Sequence, residues 1–352
     1  MKHLLCTGGG TAGHVVPTLP VMEAFLAEGV RVDFIGSGSE LERSLVAPLG
    51  VPFHAIAAGK LRRYLSLENV LDAFRVLVGI VQALVLMGRL RPDVVFSKGG
   101  FVSFPVVFAA WCWRVPVVAH ESDLSPGLAN RLAMPFVRSL CVSFPVTHPT
   151  GFKGELVHTG SPVRPALLAG DAHRGRALIG AAEGRRVIVV TGGSLGADRI
   201  NAVVRDALPA LTARAEIVHV CGPGKTVNSD VPGYHQFEYV REAWGDLLAA
   251  ADLVVSRSGA NTLYELLSLH KPNLLVPLSR RASRGDQIEN AAWAAAEGYS
   301  RVIAEEDLNT DSLVSAVDEI LHDPGAGSGR IAGFSAPDSV GLIIDTIRRA
   351  AG

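Results

Sequence analysis

Two glycine-rich segments of the chain each follow an apolar, strand-like run and precede a helix-like one. The first, GGGTAG at 8–13, matches the GxGxxG pattern, and the second is GGSLGA at 192–197. Glycines at such a junction expose backbone N–H groups at a helix N-terminus, where phosphate and diphosphate groups bind. We therefore predict that both segments hold an oxygen-rich, anionic ligand, with a purely structural turn as the alternative.

The first segment lacks the rest of a dinucleotide fingerprint. That fingerprint places an acidic residue about 20 positions after the glycines, at the end of the second strand. Here Asp33 lies inside the strand-like run VRVDFIG, and glycines follow at its end. The sequence also has no Asp-x-Asp pair, no HExxH motif and no short-spaced cysteines, which are patterns typical of metal sites. We expect no nicotinamide or flavin cofactor and no metal ion.

Three titratable side chains are candidates for a general base. His14 directly follows the first glycine segment, and imidazole is suited to proton transfer near neutral pH. Glu121 and Asp123 belong to the tetrapeptide HESD, which closes an apolar strand. Polar groups at the carboxyl end of a strand belong in a cleft rather than in a core. For His14, a surface or helix-capping role is the alternative.

A second group of polar residues suggests contacts to a nucleotide sugar. Glu265 lies one to two turns into the helix that follows SRSGA at 256–260, where a carboxylate can accept two hydrogen bonds from a ribose diol. Ser194 adds a hydroxyl group to the second glycine segment, and Gln287 offers both a donor and an acceptor to sugar hydroxyls. A solvated helix carboxylate is the alternative for Glu265.

The elements that must position these residues occur twice in the chain. The strand and glycines of 3–10 are echoed at 187–194, and those of 92–100 at 251–260. Valine-rich strands that alternate with helical stretches predict βαβ units and parallel sheets. We predict an α/β protein with two Rossmann-like domains facing across a cleft, and with a boundary near residue 160.

Composition narrows the class of protein further. The 352 residues suit two domains, and a hydrophobic share of 48% excludes a disordered chain. Lys and Arg number 33 against 34 Asp and Glu, so the chain as a whole carries no basic field for nucleic acid. The N-terminus turns into glycines too early for a signal peptide, and the apolar stretch 76–87 falls short of the roughly 18 residues that span a bilayer. These features predict a soluble, cytoplasmic chain.

The segment from Lys60 to Trp113 is predicted to meet a partner. The basic run KLRRY at 60–64 precedes the apolar stretch 76–87, which ends near Arg89 and Arg91. Basic residues at the edge of an apolar face are typical of a surface that rests on anionic lipid. Two buried helices with ordinary charged ends are the alternative.

Taken together, these segments resemble the MurG family of peptidoglycan glycosyltransferases, which belongs to the GT-B superfamily. The similarity extends over nearly the whole chain. It rests on GGGTAGH at 8–14, GK at 59–60, KGGFVSFP at 98–105, HE at 120–121, PGLAN at 126–130, GSPVR at 160–164, GGSLGA at 192–197, SRSGANTLYE at 256–265, and Gln287 with Asn290.

The resemblance implies an acceptor-binding, membrane-facing domain at 1–160 and a UDP-sugar-binding domain at 161–337. It also implies a C-terminal helix at 338–352 that packs back on the first domain. The implied reaction is the inverting, metal-independent transfer of N-acetylglucosamine (GlcNAc) from UDP-GlcNAc to the 4-hydroxyl of N-acetylmuramic acid (MurNAc) in lipid I, which forms lipid II. Lipid I is undecaprenyl-pyrophosphoryl-MurNAc-pentapeptide, so the enzyme is expected at the cytoplasmic leaflet of the cell membrane.

The resemblance also implies where the substrates bind. It places uracil and ribose near Arg164, Val240 and Glu265, the diphosphate at Ser194 and the helix start 260–262, and the sugar near Gln287. The turn 11–13 and His14 would face the transferred sugar and the acceptor. The full set of implied UDP-GlcNAc contacts is Thr11, Ala12, Gly13, Asp123, Arg164, Ser194, Val240, Ala260, Asn261, Thr262, Leu263, Glu265 and Gln287.

Two motifs depart from the family pattern, both in the acceptor half. The family commonly has His-Glu-Gln-Asn where this chain has Ser122 and Asp123 at the last two positions, and Thr-Gly-Gly-His where this chain has Ala12. The departures leave open a same-fold glycosyltransferase with another lipid or small-molecule acceptor. The same motifs are also compatible with a UDP-GlcNAc 2-epimerase and with a non-catalytic scaffold that binds UDP-sugar.

Overall fold

The structure is a computed structural model that describes residues 1–59, 67–323 and 329–352, with side chains described from residue 72 in the second range. The chain divides into two compact units. The first unit comprises Met1–Pro162 and Pro337–Gly352, and the second comprises Val163–Ala336. Each unit is an α/β structure built on one parallel sheet.

The first unit contains a seven-stranded parallel sheet in the order β3-β2-β1-β4-β5-β6-β7. Its strands are β1 His3–Thr7, β2 Arg31–Gly36, β3 Phe53–Ala55, β4 Val94–Ser97, β5 Val117–Glu121, β6 Ser139–Val142 and β7 Glu155–His158. Strand β1 is buried along its whole length, because helices cover both faces of the sheet. Leu4 and Cys6 join the core on one face, and Leu5 joins the core on the other.

The second unit contains a six-stranded parallel sheet in the order β10-β9-β8-β11-β12-β13. Its strands are β8 Arg186–Thr191, β9 Ala215–Val220, β10 Tyr234–Phe237, β11 Leu253–Ser256, β12 Asn273–Leu275 and β13 Arg301–Val302. The register is continuous across the sheet centre, since Val189 lies between Val218 of β9 and Val254 of β11.

Both sheets share a topology that explains the internal echoes of the sequence. In each unit the strand order reverses beside the first strand, between β1 and β4 and between β8 and β11. Ligands of doubly wound folds bind beyond the carboxyl ends of the strands at such a switch point. The glycine segments follow β1 and β8, so the topology places each of them at a switch point.

Helices connect the strands. In the first unit they are α1 Ala12–Val15, α2 Leu19–Ala27, α3 Glu40–Val46, α4 Leu67–Leu90, α5 Ser103–Cys112 and α6 Leu128–Ala133. In the second they are α7 Pro165–Leu168, α8 Ala172–Leu178, α9 Asp198–Asp206, α10 Leu208–Thr212, α11 Trp244–Ala250, α12 Ala260–Ser268, α13 Asp286–Ala296 and α14 Thr310–His322. Short 3-10 helices are Val16–Thr18, Ala47–Leu49, Met134–Phe136 and Ile331–Gly333.

The final helix, α15 Ser339–Ala351, packs within the first unit. Ile343 and Ile347 are fully buried in the same core as Phe25 of α2. At the exposed end of the helix, Arg348 forms an ion pair with Glu28 at 2.7 Å. This helix therefore belongs to the first unit, although the second unit precedes it in the sequence.

Helix α4 is longer than the apolar stretch 76–87 that the sequence analysis singled out. The apolar stretch 76–87 is by itself too short for a bilayer, but it belongs to a longer helical segment, Asp72–Leu90, in which an 18-residue window has a mean hydropathy of 1.8. By length and composition alone this segment could cross a membrane. Helices of soluble proteins can meet the same criterion, so the expectation that the chain has no bilayer-spanning segment stays a prediction. In the fold, Ala83 and Met87 of α4 are buried in a core shared with α5.

Candidate functional site

A cavity of about 520 Å³ opens in the second unit, beyond the carboxyl ends of β8 and β11. Its wall combines the glycine loop after β8, the beginning of α12 and side chains from three further loops. The lining residues are Gly192, Gly193, Ser194, Leu195, Gly196, Ala197, Asp198, Arg199, Arg257, Gly259, Thr262, Leu278, Ala282, Gln287 and Glu305.

The glycine loop of this cavity requires glycine for steric reasons. Gly193 and Gly196 have φ values of +85° and +69°, a region that side-chain-bearing residues rarely adopt. A Cβ atom on Gly196 would lie 1.8 Å from the carbonyl oxygen of Cys221. The loop then enters α9, so its backbone N–H groups lie at a helix N-terminus, which suits an anionic ligand.

An ion pair between Arg257 and Glu305 forms one wall of the cavity. Arg257 also donates to the carbonyl oxygens of Val276 at 3.1 Å and Pro277 at 3.3 Å, and Glu305 accepts the Ser279 N–H at 3.0 Å. Burial raises the pKa of Glu305, but the hydrogen bonds from Arg257 and Ser279 outweigh it and hold this pKa below its usual range. The pair fixes the loop after β12 against the end of β11.

Gln287 contributes an amide group to the same cavity. Its Oε1 accepts the backbone N–H of Leu278 at 3.0 Å, and its carbonyl oxygen accepts the Ser258 hydroxyl at 2.8 Å. Nearby, Asn290 donates to the Ser258 carbonyl oxygen at 3.2 Å. These bonds hold the beginning of α13 against the beginning of α12, and they leave the Gln287 amide nitrogen as a donor for a ligand hydroxyl.

Glu265 and Arg164 form a separate electrostatic pair in the second unit. Glu265 lies on α12, and burial raises its pKa to about 7, against the opposing effect of the Arg164 charge. Arg164 is the residue before α7, and its Nε atom is buried without a hydrogen-bond partner in the described chain. A buried donor without a partner and a carboxyl group with a pKa near 7 are typical of sites that bind a polar ligand.

In the first unit, two glycine loops press against each other. Gly10, at the end of the β1–α1 loop, has a φ of +86°. Gly100, in the β4–α5 loop, also has a φ of +86°, and a Cβ atom there would lie 2.1 Å from the Gly9 carbonyl oxygen. This close approach fixes the path of the chain that carries Thr11 and His14.

His14 is fixed on the first glycine loop by its Nδ1 atom. This nitrogen lies 3.0 Å from the Gly9 carbonyl oxygen and 3.1 Å from the Thr11 hydroxyl oxygen. A carbonyl oxygen can only accept a hydrogen bond, so Nδ1 must carry the hydrogen. In the neutral ring, Nε2 is then the nitrogen with the lone pair, which is the form that a general base requires.

The carboxylate of Glu121 organises the turn after β5. One oxygen accepts the Asp123 N–H at 3.0 Å, and the other accepts the Gly127 N–H and the Asn130 amide, both at 2.9 Å. Glu121 is buried, whereas Asp123 is only partly buried. The bonding of Glu121 therefore shapes the polar loop on which Asp123 is presented.

Lys98 is buried at the end of β4, beside the same turn. Its ammonium group donates to Nδ1 of His120 at 2.7 Å and to the hydroxyl of Ser122. Desolvation lowers the pKa of Lys98 to about 8, although Glu121 and Asp123 work against this shift. Burial and the Lys98 charge hold the pKa of His120 well below its usual value, so its ring is neutral and Nε2 donates to the Gly160 carbonyl oxygen at 2.9 Å.

Comparison with known proteins shows to which family this chain belongs. The chain matches the glycosyltransferase family 28 N-terminal domain over residues 4–142 and the family's C-terminal domain over residues 187–330. A protein of Legionella pneumophila (strain Paris) is 45% identical over 351 residues, covering 99% of this chain and 97% of its own. One of Lachnospira eligens is 46% identical, covering 99% of both chains. Both are named UDP-N-acetylglucosamine–N-acetylmuramyl-(pentapeptide) pyrophosphoryl-undecaprenol N-acetylglucosamine transferase.

The chain belongs to the MurG family.

Membership confirms the resemblance that the sequence motifs suggested, and it makes the chain a glycosyltransferase. The crystal structure of Acinetobacter baumannii MurG matches with a TM-score of 0.78 at 24% identity, covering 99% of this chain and 100% of that one. This match confirms the predicted fold class of two Rossmann-like α/β domains. Among the described residues, no group of three or more His, Cys, Asp or Glu side chains is arranged to hold a metal ion.

The structure of this MurG-family chain brings several of the predicted contacts together. Ser194, Thr262 and Gln287 line the cavity of the second unit. Ala260 and Leu263 are buried on α12, so only their backbone can face a ligand, and Asn261 is partly buried beside them. In the first unit, Thr11 precedes α1, which contains Ala12, Gly13 and His14.

Other predicted contacts lie outside the cavity. Arg164 and Glu265 act on each other but do not line it, and Val240 lies in the loop between β10 and α11, also away from its lining. The sequence alone does not suggest the roles of Arg257, Glu305 and Lys98. Arg257 and Lys98 belong to the motifs at 256–265 and 98–105 that the sequence analysis used. No local pattern indicates the role of Glu305, because its partner Arg257 is 48 positions away.

Proposed function

We propose that this chain transfers GlcNAc from UDP-GlcNAc to the 4-hydroxyl of MurNAc in lipid I, with inversion at the anomeric carbon, and so forms lipid II. The observation that carries the proposal is identity of 43–46% over essentially the full length to transferases named for this reaction. The cavity, the glycine loops and His14 supply a chemical basis that agrees with it.

The second unit is proposed to bind the donor. The Gly193 and Gly196 N–H groups donate to Thr191 Oγ1 and to the Gly193 carbonyl oxygen, so the N–H groups of Ser194 and Leu195 and the beginning of α12 would hold the diphosphate. Ser194 and Thr262 would add hydroxyl groups. Glu265 would accept hydrogen bonds from the ribose diol, near Arg164 and Val240, and Gln287 would donate to the sugar. Helix N-termini and backbone N–H groups would also stabilise the charge that develops on the departing UDP.

His14 is the proposed general base. Its Nε2 would take the proton of the acceptor 4-hydroxyl while the hydroxyl oxygen bonds to the anomeric carbon and the bond to the diphosphate oxygen breaks with its electron pair. Glu121 is the weaker candidate, since its oxygens already accept three hydrogen bonds from its own loop. Asp123 is proposed to contact the substrates from that loop.

A transfer assay tests the proposed reaction directly. The chain is incubated with UDP-GlcNAc and a short-chain lipid I analogue, with and without EDTA, and the product mass is measured. We expect a product heavier by one N-acetylhexosamine, and its formation in EDTA would support a metal-independent reaction. An unchanged acceptor, with UDP-GlcNAc binding intact, would overturn the proposed acceptor. Conversion of UDP-GlcNAc without acceptor would favour an epimerase.

We further propose that helix α4 rests on the cytoplasmic leaflet of the membrane. Its outer face exposes Phe74 (66%), Leu77 (61%) and Val81 (61%). Helix α5 ends nearby with the exposed Trp111, and the exposed Trp113 follows directly after it.

Basic side chains border this apolar face. Arg89 and Arg114 lie at its margins and are exposed. Aromatic and basic side chains at the edge of an apolar face suit an anionic bilayer surface, and the proposed acceptor is lipid-linked. Lys60–Tyr64 of the predicted basic segment lies outside the described residues.

A charge placed on this face should release the protein from membranes. The double change Leu77→Glu and Val81→Glu is expected to weaken binding to vesicles of anionic phospholipid by tenfold or more, since each apolar side chain contributes about 1.5–3 kcal/mol on burial. Vesicle sedimentation measures the effect, and transfer to the short-chain analogue should be unchanged. Leu178→Glu, at an exposed apolar position of the second unit, is the matched control. Equal vesicle binding by all three proteins would refute this membrane surface.

A further inference from the structure

A buried carboxylate lies next to the loop that carries His14. Glu42, on α3, is 1% exposed. Its carboxylate accepts hydrogen bonds from the Gly10 N–H at 2.8 Å, from the Ser37 hydroxyl at 2.7 Å and from the Gly38 N–H at 3.1 Å. One side chain therefore joins the loop after β1 to the loop after β2.

This carboxylate and His14 bind the same peptide group. The Gly10 N–H that donates to Glu42 and the Gly9 carbonyl that accepts from His14 Nδ1 at 3.0 Å belong to one peptide unit. In a trans peptide these two groups point to opposite sides. Glu42, the peptide and the imidazole thus form a chain of hydrogen bonds, in which each bond polarises the next.

The glycines around Glu42 leave room for this carboxylate and little else. A Cβ atom on Gly9 would lie 2.5 Å from one carboxylate oxygen, and a Cβ atom on Gly36 would lie 2.6 Å from the other. Both positions therefore need glycine so that the carboxylate can reach the Gly10 N–H. The loop that carries His14 is therefore packed against the Glu42 carboxylate at Gly9, in addition to its close contact with Gly100.

Helix capping does not account for the side chain of Glu42. Ser39 is the N-cap of α3, and its hydroxyl accepts the Glu42 N–H at 3.3 Å. In a capping box, the glutamate at this position would return its carboxylate to the N-cap backbone N–H. Here the carboxylate accepts hydrogen bonds from Gly10, Ser37 and Gly38 instead. It therefore stabilises the loops after β1 and β2 rather than the N-terminus of its own helix.

We propose that Glu42 is a positioning residue for the transfer reaction, acting on His14 through the Gly9–Gly10 peptide group. This inference rests on the proposed function. The chain of bonds holds the hydrogen on Nδ1, so Nε2 accepts the proton of the attacking hydroxyl. The negative charge of Glu42 then stabilises the imidazolium that forms when that proton arrives.

Glu42→Gln tests the inference, because it preserves shape and removes the charge. We expect kcat to fall about tenfold to hundredfold through loss of alignment and charge, with the KM for UDP-GlcNAc within about twofold. The acidic limb of the kcat–pH profile should move to lower pH by about half a unit, since a nearby negative charge no longer favours the protonated base. Ser37→Ala, which removes a hydrogen bond to the same carboxylate but not the link to Gly10, should leave the profile in place.

A spectroscopic measurement makes the test independent of activity. The ring ¹⁵N shifts of His14 should show hydrogen on Nδ1 in the unmodified protein and a mixed pattern in Glu42→Gln. Hydrogen on Nε2 in the unmodified protein would overturn the inference, even if the variant failed to fold. A folded Glu42→Gln protein with unchanged kcat and pH profile would overturn it too. Absence of transfer by the unmodified protein, with the Nδ1 pattern as expected, would count against the proposed function instead.

Discussion

Replacement of His14 by alanine is expected to lower kcat by about 10²- to 10⁴-fold, the range that a general base contributes. The dissociation constant of UDP-GlcNAc should stay within about twofold, because the cavity for the donor is lined by residues of the second unit. Steady-state transfer to a short-chain lipid I analogue gives kcat, and calorimetric titration gives the donor affinity. Lost turnover with retained binding is the pattern of a group that acts in the transition state.

A second variant separates the two nitrogens of the ring. In His14→Asn the amide nitrogen can occupy the place of Nδ1 and donate to the Gly9 carbonyl oxygen, but nothing replaces Nε2. We expect this variant to be as slow as the alanine variant. If the asparagine variant kept most of the activity, the role of His14 would be to hold the loop, and Asp123 would become the leading candidate for the base. Asp123→Asn in parallel shows whether that carboxylate is needed.

Donor binding is expected to depend on pH through Glu265. Burial raises the pKa of this carboxyl to about 7. The ionised form accepts hydrogen bonds from both ribose hydroxyls with both of its oxygens, whereas protonation turns one oxygen into a donor and removes the charge that strengthens these bonds. Affinity for UDP-GlcNAc should therefore rise through pH 7, with binding about tenfold weaker at pH 6 than at pH 8, in proportion to the ionised fraction. Calorimetric titration at a series of pH values measures the slope.

The isosteric change Glu265→Gln is the control for this dependence. Its affinity at pH 8 should be about tenfold to hundredfold lower, since hydrogen bonds to a charged group contribute about 1.5–3 kcal/mol, and the pH slope should disappear. A slope that persists in Glu265→Gln would assign the titration to another group.

Glu265→Gln, which is expected to weaken donor binding, is expected to raise the stability of the ligand-free protein. The carboxyl titrates near its ordinary value of 4.5 in the unfolded chain and near 7 in the fold. Between these values the folded state binds more protons, so the free energy of unfolding falls as pH rises from about 4.5 to about 7, and the loss is complete above 7. Without ligand, Glu265→Gln should unfold at a higher temperature than the unmodified protein at pH 8, and this advantage should shrink at pH 5.

The sequence predicted the architecture because its local patterns are strong and occur twice. Valine-rich strands such as β8, followed by glycines and a helix, encode a parallel α/β unit wherever they stand. The echo between 3–10 and 187–194 could be recognised without any tertiary information, and the topology of both sheets agrees with it. The length of this helix was less well predicted, since α4 extends well beyond the apolar stretch 76–87.

By itself, then, the sequence determined the two-domain α/β class, the glycine loops at the strand ends and the family, all of which depend on residues close together in the chain. Only the tertiary structure decided which nitrogen of His14 carries hydrogen, that Glu305 pairs with Arg257 and that Ser122 accepts from the buried Lys98. The partners of these last two pairs lie 48 and 24 positions apart. Periodicity encodes which elements form, but hydrogen-bond partners depend on which loops meet at the edge of a sheet, and that is decided by strand order and packing.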